Sequence, residues 1–473
     1  MRGFKKTFNM YDQNLFAELS GDFNPIHVDE IEARRYLFGS PVVHGIHLIL
    51  WSLECWHIQN RKKIKIEKIK SSFKNPLIIN KSVKIVFRSL ENNTEEIDLI
   101  CDFKVITKIV FSWTLLKKTN NYDLINFCAP QKEIPVTVLK ENLADKKGEL
   151  KLFLDINKLS LLFKNLDVFL SLSQISILLA TTRLIGMKCP GLNSVYNGLN
   201  LSFDKNKKKS SYKYKVNKFD KRFNLIYIDV HGIDFQGQLK SFVRPSLIKH
   251  KDINYISKLV KKDEFKNQNA LVIGGSRGLG EITVKILAAG SANVKFTYFK
   301  GFNDAKQLIN QINKISNRNS YFKYDVLSKN MEYLINKIKD CKPSHLYYFP
   351  TPFIFSGSKT NFSNSLYKEF LDYYVSSFEI ILKELIPLGL LKVFYPSSVA
   401  LEERPTDMRE YVSAKIEGEY ICKLYKKKYN HLKIYYPRLP RVKTDQTSTV
   451  FKIKNRDPIP IQLKQLRTFE RQK

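Results

Sequence analysis

The pattern of apolar and polar positions divides the chain into regions of different period. Residues 1–120 open with a capped helical segment. A polar loop carrying Asp22, Asn24, Pro25 and His27 follows, then an apolar run at about 43–58 (VHGIHLILWSLECWHI) that predicts a buried helix. Alternating runs at 64–73, 82–89, 96–105 and 108–116 predict strands. One long helix followed by antiparallel strands is an α+β pattern in which the sheet wraps the helix. Residues 123–246 repeat the order more weakly, with an apolar helix at about 168–187 and strands at 194–203, 211–219, 223–231 and 234–243. From about 267, strands at 269–274, 294–299, 320–325, 344–349 and 390–396 alternate with helices, the signature of an α/β doubly wound parallel sheet. The charged stretch 247–266 reads as a linker and 453–473 as a basic tail. The predicted segments are therefore 1–122, 123–246, 247–266, 267–452 and 453–473.

Charge changes this picture less than its size implies. Over 473 residues, 79 basic and 45 acidic side chains give a formal charge of +34. The lysines are spread over 62–70, 205–221, 258–266 and the tail, and alternate with Ile, Tyr or Val as on the solvent face of strands. No zinc-finger spacing, helix-turn-helix pattern or RNP-like motif accompanies them, so nucleic acid is not the expected partner. A solvated surface that also attracts anionic ligands accounts for the excess. No apolar run is long enough to span a bilayer, and the first residues lack the apolar core of a secretory signal. Six scattered cysteines without a CxxC pair fit a reducing compartment, and a cytoplasmic location is expected. Eight histidines include no HExxH, and no metal site is expected.

Two constellations carry chemistry. In the first, Ser20-Gly-Asp-Phe-Asn-Pro-Ile-His-Val-Asp29 precedes Ser40-Pro-Val-Val-His-Gly-Ile46. A turn at Pro25 can bring Asp22 and His27 together. Gly45 opens the apolar helix, where unpaired N–H groups and the helix dipole favour a developing oxyanion. The run AELSGDFNPIHVDEIEARRYLFGSPVVHGI resembles the motif of MaoC-like (R)-specific enoyl-CoA hydratases, which have the hotdog fold, and FKNPLIINKSVKI resembles the strand after the helix. The resemblance implies that Asp22 and His27 act on one water, that the Gly45 N–H polarises a thioester carbonyl, and that Asn24 orders the loop. PGLNSVYNGLNLSF at 190–203 resembles a second hotdog without an Asp-x4-His, a non-catalytic partner; a β-rich spacer is the alternative.

In the second, ALVIGGSRGLGEITVKIL runs from a strand through Gly274, Gly278 and Gly280 into a helix, the arrangement that receives a pyrophosphate. Ser398, Tyr411 and Lys415 lie downstream, and Tyr-x3-Lys places the last two on one helical face. Together these resemble the short-chain dehydrogenase/reductase family. The resemblance implies carbonyl positioning by Ser398, proton donation by Tyr411, and lowering of the Tyr411 pKa by Lys415. Ser276, Arg277 and Leu279 complete the phosphate loop, and Asp325-Val326 match the adenine-contacting pair. The second strand ends at Tyr298 and Lys300 with no acid before Asp304, so Lys300 and Arg277 favour the 2′-phosphate of NADP(H) over NAD(H). Phe349-Pro-Thr-Pro352 replaces the family's Asn-Asn-Ala-Gly, Ser377 is nearest the tetrad Asn, and little chain remains after Arg438 for lid helices and a last strand.

The expected function is a bifunctional enoyl-thioester hydratase (or 3-hydroxyacyl dehydratase) and NADP(H)-dependent 3-oxoacyl-thioester reductase acting on acyl-CoA or acyl carrier protein, with a homodimer left open. The alternatives are a carrier-binding scaffold with a degenerate reductase domain, and a reductase of a sugar or polyketide carbonyl.

Overall fold

The alternating runs pair into one antiparallel sheet. The computed structural model describes residues 3–115, 125–203, 212–232, 234–451 and 453–472. The boundary expected at 122–123 and part of the lysine run 205–221 lie outside them. The chain divides into two compact units, Met1–Ser246 with Thr449–Ile453, and Leu247–Ser448 with Lys454–Lys473.

The first unit begins with β1 (Lys5–Thr7), α1 (Met10–Ser20), the short α2 (Pro25–Val28) and α3 (Gly45–Asn60). The strands β2 (Ile64–Phe73), β3 (Ser82–Ser89), β4 (Thr94–Cys101) and β5 (Lys104–Leu115) follow. Then come β6 (Lys147–Leu150), α4 (Leu172–Arg183), β7 (Ser194–Ser202), β8 (Tyr212–Asp220), β9 (Leu225–Gly232) and β10 (Phe235–Val243). The ten strands are ordered β1-β3-β4-β5-β2-β7-β10-β9-β8-β6. Counted from its own edge, each half has the order first, third, fourth, fifth, second. The two second strands meet at the seam, where Ile69 pairs with Leu201 antiparallel. The segments 1–122 and 123–246, read separately from the sequence, thus share one sheet and one core.

α3 is apolar on every side and is buried from Ile46 to His57, as a helix wrapped by a sheet must be. The helix expected over 168–187 is interrupted. A turn at Leu166–Phe169 stops before extended Ser171, α4 runs over Leu172–Arg183, and a π turn covers Leu184–Lys188. β4 also ends earlier than its apolar run, because Asp102 and Phe103 take positive φ values of 48° and 62° to turn the hairpin.

The second unit is built on strands β11 (Asn269–Ile273), β12 (Asn293–Tyr298), β13 (Ser320–Lys323), β14 (His345–Tyr348), β15 (Lys392–Phe394) and β16 (Lys433–Tyr435). They form a parallel sheet ordered β13-β12-β11-β14-β15-β16. The stretch read as a linker is ordered against this unit: it contains a short helix, Ile253–Ser257, and Ile253, Ile256, Val260 and Phe265 join the core. The stretch read as a basic tail is also structured. Asp457 caps a helix over Pro458–Glu470 whose Ile459, Leu463, Leu466 and Phe469 are buried. Those apolar positions recur at helical spacing inside a basic composition, which obscured them. No helix among the described residues is long and apolar enough to cross a membrane.

Candidate active sites

The first site lies at the start of α3. Asn24 caps α2 through its side-chain oxygen, which accepts from the Ile26 N–H at 3.2 Å, and Pro25 supplies the fixed φ of the first helical position. This turn brings Asp22 and His27 together, as the sequence predicted. Asp22 is buried. One carboxylate oxygen accepts from the Asn24 N–H at 3.2 Å, and the other accepts from the Thr182 hydroxyl at 2.6 Å. His27 Nδ1 lies 2.7 Å from the Val42 carbonyl and must donate to it, which leaves Nε2 as a lone-pair acceptor. Burial pushes the Asp22 carboxyl up and the His27 imidazole down; the charge of each partly opposes the effect on the other.

His44 precedes α3 and stacks on His27, with ring centroids 3.9 Å apart. Its nitrogens lie 2.9 Å from Gln13 Oε1 and 3.0 Å from the Asp22 carbonyl. Burial holds its pKa well below the ordinary range, and His27 lowers it further. Asp22, His27 and His44 place three potential ligand atoms within 4.8 Å of one another. Lone pairs lie in the imidazole planes, however, and the two rings are inclined by only 23°. The lone pairs of the two rings run side by side and do not converge on one point. α3 has no side-chain N-cap, and Gly45 is its first residue. A Cβ at Gly45 would stand 2.6 Å from the Phe73 ring, so the approach of β2 requires glycine there.

The half without an Asp-x4-His forms part of this site. Asn24 Nδ2 donates to the Gly186 carbonyl at 2.9 Å and lies 3.2 Å from that of Gly191. A Cβ at Gly186 would fall 2.1 Å from Asp22 Oδ1. Sequence reasoning missed Thr182 and Gly186. They lie about 160 residues from Asp22, on an apolar helix whose pattern reports burial only.

The second site lies at the carboxyl ends of the parallel strands, where open α/β sheets bind ligands. Gly274 follows β11, and its N–H donates to Thr297 Oγ1 at 2.9 Å. A helix, α5 (Gly278–Ala289), follows; no side chain caps its N-terminus at Arg277, and Gly278, at φ +60°, has open space where a Cβ would stand. A Cβ at Gly280 would lie 2.2 Å from the Gly274 carbonyl, so helix and loop meet closely. Ser276 is buried, and Leu279 sits in the first turn, its carbonyl accepting from Thr283. An uncapped helix start with glycine at 278 and 280 is an arrangement that a pyrophosphate can approach. At the end of β12, Tyr298 packs near Phe302 and Tyr321, and the Lys300 ammonium lies over the Phe299 ring. Arg277 stands 3.9 Å from Asp445. Asp325 caps the turn Val326–Ser328, and the Val326 carbonyl accepts from the Ser377 hydroxyl at 2.9 Å.

Tyr411 and Lys415 share one face of α6 (Arg409–Lys428), and Ser398, whose hydroxyl accepts from the Ala400 N–H, neighbours Tyr411. The Ser377 hydroxyl is engaged with the Val326 carbonyl. Tyr374 lies in a π turn over Asp372–Ser376: its ring lies 4.0 Å beneath the Lys415 ammonium, and its hydroxyl bonds Thr351. Burial pushes the Tyr411 hydroxyl up to about 12, and the neighbouring Ser398 side chain opposes that rise. Lys415 donates to the Pro396 carbonyl at 2.8 Å between the rings of Tyr374 and Tyr395, and burial pulls it down to about 7.

Residues 5–104 match the MaoC like domain family. No curated protein matches the chain. Among solved structures, a short-chain dehydrogenase of Shigella flexneri 2a complexed with NADP is 17% identical, over 43% of this chain and 92% of that one, with a TM-score of 0.39. An alternative dihydrofolate reductase of Brucella suis with NADP is 14% identical, over 36% and 72%, at 0.34. The 3-hydroxyacyl-CoA dehydrogenase type-2 of Mycobacterium avium is 16% identical, over 38% and 76%, at 0.34.

Proposed function

We propose that the chain is bifunctional: an (R)-specific enoyl-thioester hydratase, or in reverse a 3-hydroxyacyl dehydratase, joined to an NADP(H)-dependent 3-oxoacyl-thioester reductase. Its substrates are acyl-CoA or acyl-carrier-protein thioesters. The observation that carries the reading is the Asp22–His27 pair beside the uncapped start of α3, within the matched residues.

In hydration, Asp22 and the bare His27 Nε2 hold one water. Removal of its proton lets the oxygen attack C3 of the 2-enoyl thioester. The electron pair moves to the thioester oxygen, where the Gly45 N–H stabilises the enolate, and a proton returned from the same pair to C2 completes the 3-hydroxyacyl product. A depressed His27 suits this task, because an imidazole already protonated near neutrality could not accept the proton.

The reductase would bind NADP(H) with Gly274, Ser276, Arg277, Gly278, Leu279 and Gly280 at the phosphates, Tyr298 and Lys300 toward the 2′-phosphate, and Asp325 and Val326 toward the adenine. The reduced nicotinamide supplies the hydride. Tyr411, held fully protonated by its raised pKa, gives its proton to the carbonyl oxygen that Ser398 orients. The two activities share the (3R)-hydroxyacyl thioester. Incubating the chain with a 3-oxoacyl thioester and NADPH, and following both NADPH oxidation and enoyl thioester, tests the reading; turnover by neither half, with carrier protein still bound, would favour a scaffold.

A further inference from the structure

The adjacent threonines of α4 use their hydroxyls differently. Thr181 donates back to the Leu178 carbonyl at 2.7 Å, the ordinary helical arrangement. Thr182 instead donates across the unit to Asp22 Oδ2 at 2.6 Å. Immediately beyond, the helix widens into the π turn Leu184–Lys188, which lays Gly186 against the same carboxylate. The Gly186 carbonyl receives the Asn24 side chain, so this one turn holds both Asp22 and the residue that shapes its loop.

We infer that Thr182 is a positioning residue for the hydration reaction, and that the half lacking its own Asp-x4-His supplies the hydroxyl that holds and aims the Asp22 carboxylate. The inference rests on the hydratase reading above. Asp22 is buried, and burial opposes its ionisation. His27 is itself depressed and gives little positive charge near neutral pH. The remaining donors are the Asn24 N–H at 3.2 Å and the Thr182 hydroxyl at 2.6 Å, so Thr182 provides the shorter, charge-assisted bond. With Oδ2 so fixed, Oδ1, which also accepts from the Asn24 N–H, is the oxygen left to hold the water of the hydratase reading. Without Thr182, one buried oxygen loses its donor and the carboxyl tends to protonate.

Thr182→Val keeps the shape and removes the donor. In the full chain it should lower kcat for enoyl-thioester hydration on the order of tenfold or more, with little change in KM. The acidic limb of the pH profile should move upward by about one unit, and Thr182→Ser should restore both. Infrared titration of the Asp22 carboxyl, assigned by its loss in Asp22→Asn, provides a readout independent of turnover: its pKa should rise in Thr182→Val. An unchanged profile and carboxyl titration would overturn the role of Thr182 while leaving the hydratase reading intact. Absence of hydration by the unmodified chain would overturn that reading, and the infrared shift would still decide whether Thr182 governs Asp22.

Discussion

His27 lies face to face on His44, with ring centroids 3.9 Å apart and planes inclined by 23°. Two imidazoles at that distance do not readily both carry charge, and burial disfavours the charged form of each. Burial disfavours the imidazolium of His27, His27 in turn lowers His44, and the bond to Val42 places the His27 ring proton on Nδ1. Replacing His27 by Ala or Asp22 by Asn should each lower hydration by ~10²–10⁴-fold, the usual worth of a positioned acid or base. NADPH-dependent reduction measured in the same preparations should be unchanged.

Gly45 is expected to tolerate no side chain. Gly45→Ala puts a methyl 2.6 Å from the Phe73 ring, so the helix start, the ring, or both must move. Loss of one oxyanion donor costs ~10²–10³-fold in kcat, and a displaced donor should approach that figure. Steady-state kinetics should show the loss in kcat more than in KM.

Asn24 ties the Asp22–His27 loop to the second half with a fully buried amide. Asn24→Ala removes these bonds and takes the side-chain donor from the buried Gly186 carbonyl. A loss of about 2–4 kcal/mol is expected from urea unfolding of the intact chain. A change below ~0.5 kcal/mol would show that the seam is held by the sheet alone.

Lys415 gives a pH signature. Burial pulls its pKa down to about 7 from an ordinary 10.5. Between these values the unfolded chain binds the extra proton, so stability rises with pH across the window, is fully present above 10.5, and is lost as pH falls through about 7. Lys415→Met should flatten that slope in melting curves recorded from pH 6.5 to 10. The same variant should retain hydration and lose reduction if Lys415 serves Tyr411 once the cofactor is bound.

Arg277 and Lys300 set the expected cofactor preference. With both replaced by neutral residues, KM for NADPH should rise ~10-fold or more while KM for NADH stays nearly constant. Equal effects on the two cofactors would place these cations away from the 2′-phosphate.

Local chemistry explains what the sequence disclosed. Asp22, Asn24, Pro25 and His27 are close neighbours in sequence, so the turn that unites them is written in adjacent residues; the glycine loop is equally local. Thr182 and Gly186 are not. They reach Asp22 only because the two halves share one sheet, and nothing in an apolar helix reveals which hydroxyl points outward. The Tyr374 ring beside Lys415 was hidden for a related reason: it lies in a π turn, where side chains leave the regular helical spacing. At the C-terminus, basic composition obscured the apolar positions Ile459, Leu463 and Leu466 of a buried helix.

The most direct test of the account is hydration of a trans-2-enoyl thioester by the unmodified chain and by Asp22→Asn, with the configuration of the product determined. The account predicts a (3R)-hydroxyacyl thioester from the unmodified chain and a loss of at least ~10²-fold in the variant. Equal rates in the two proteins, or a (3S) product, would contradict it.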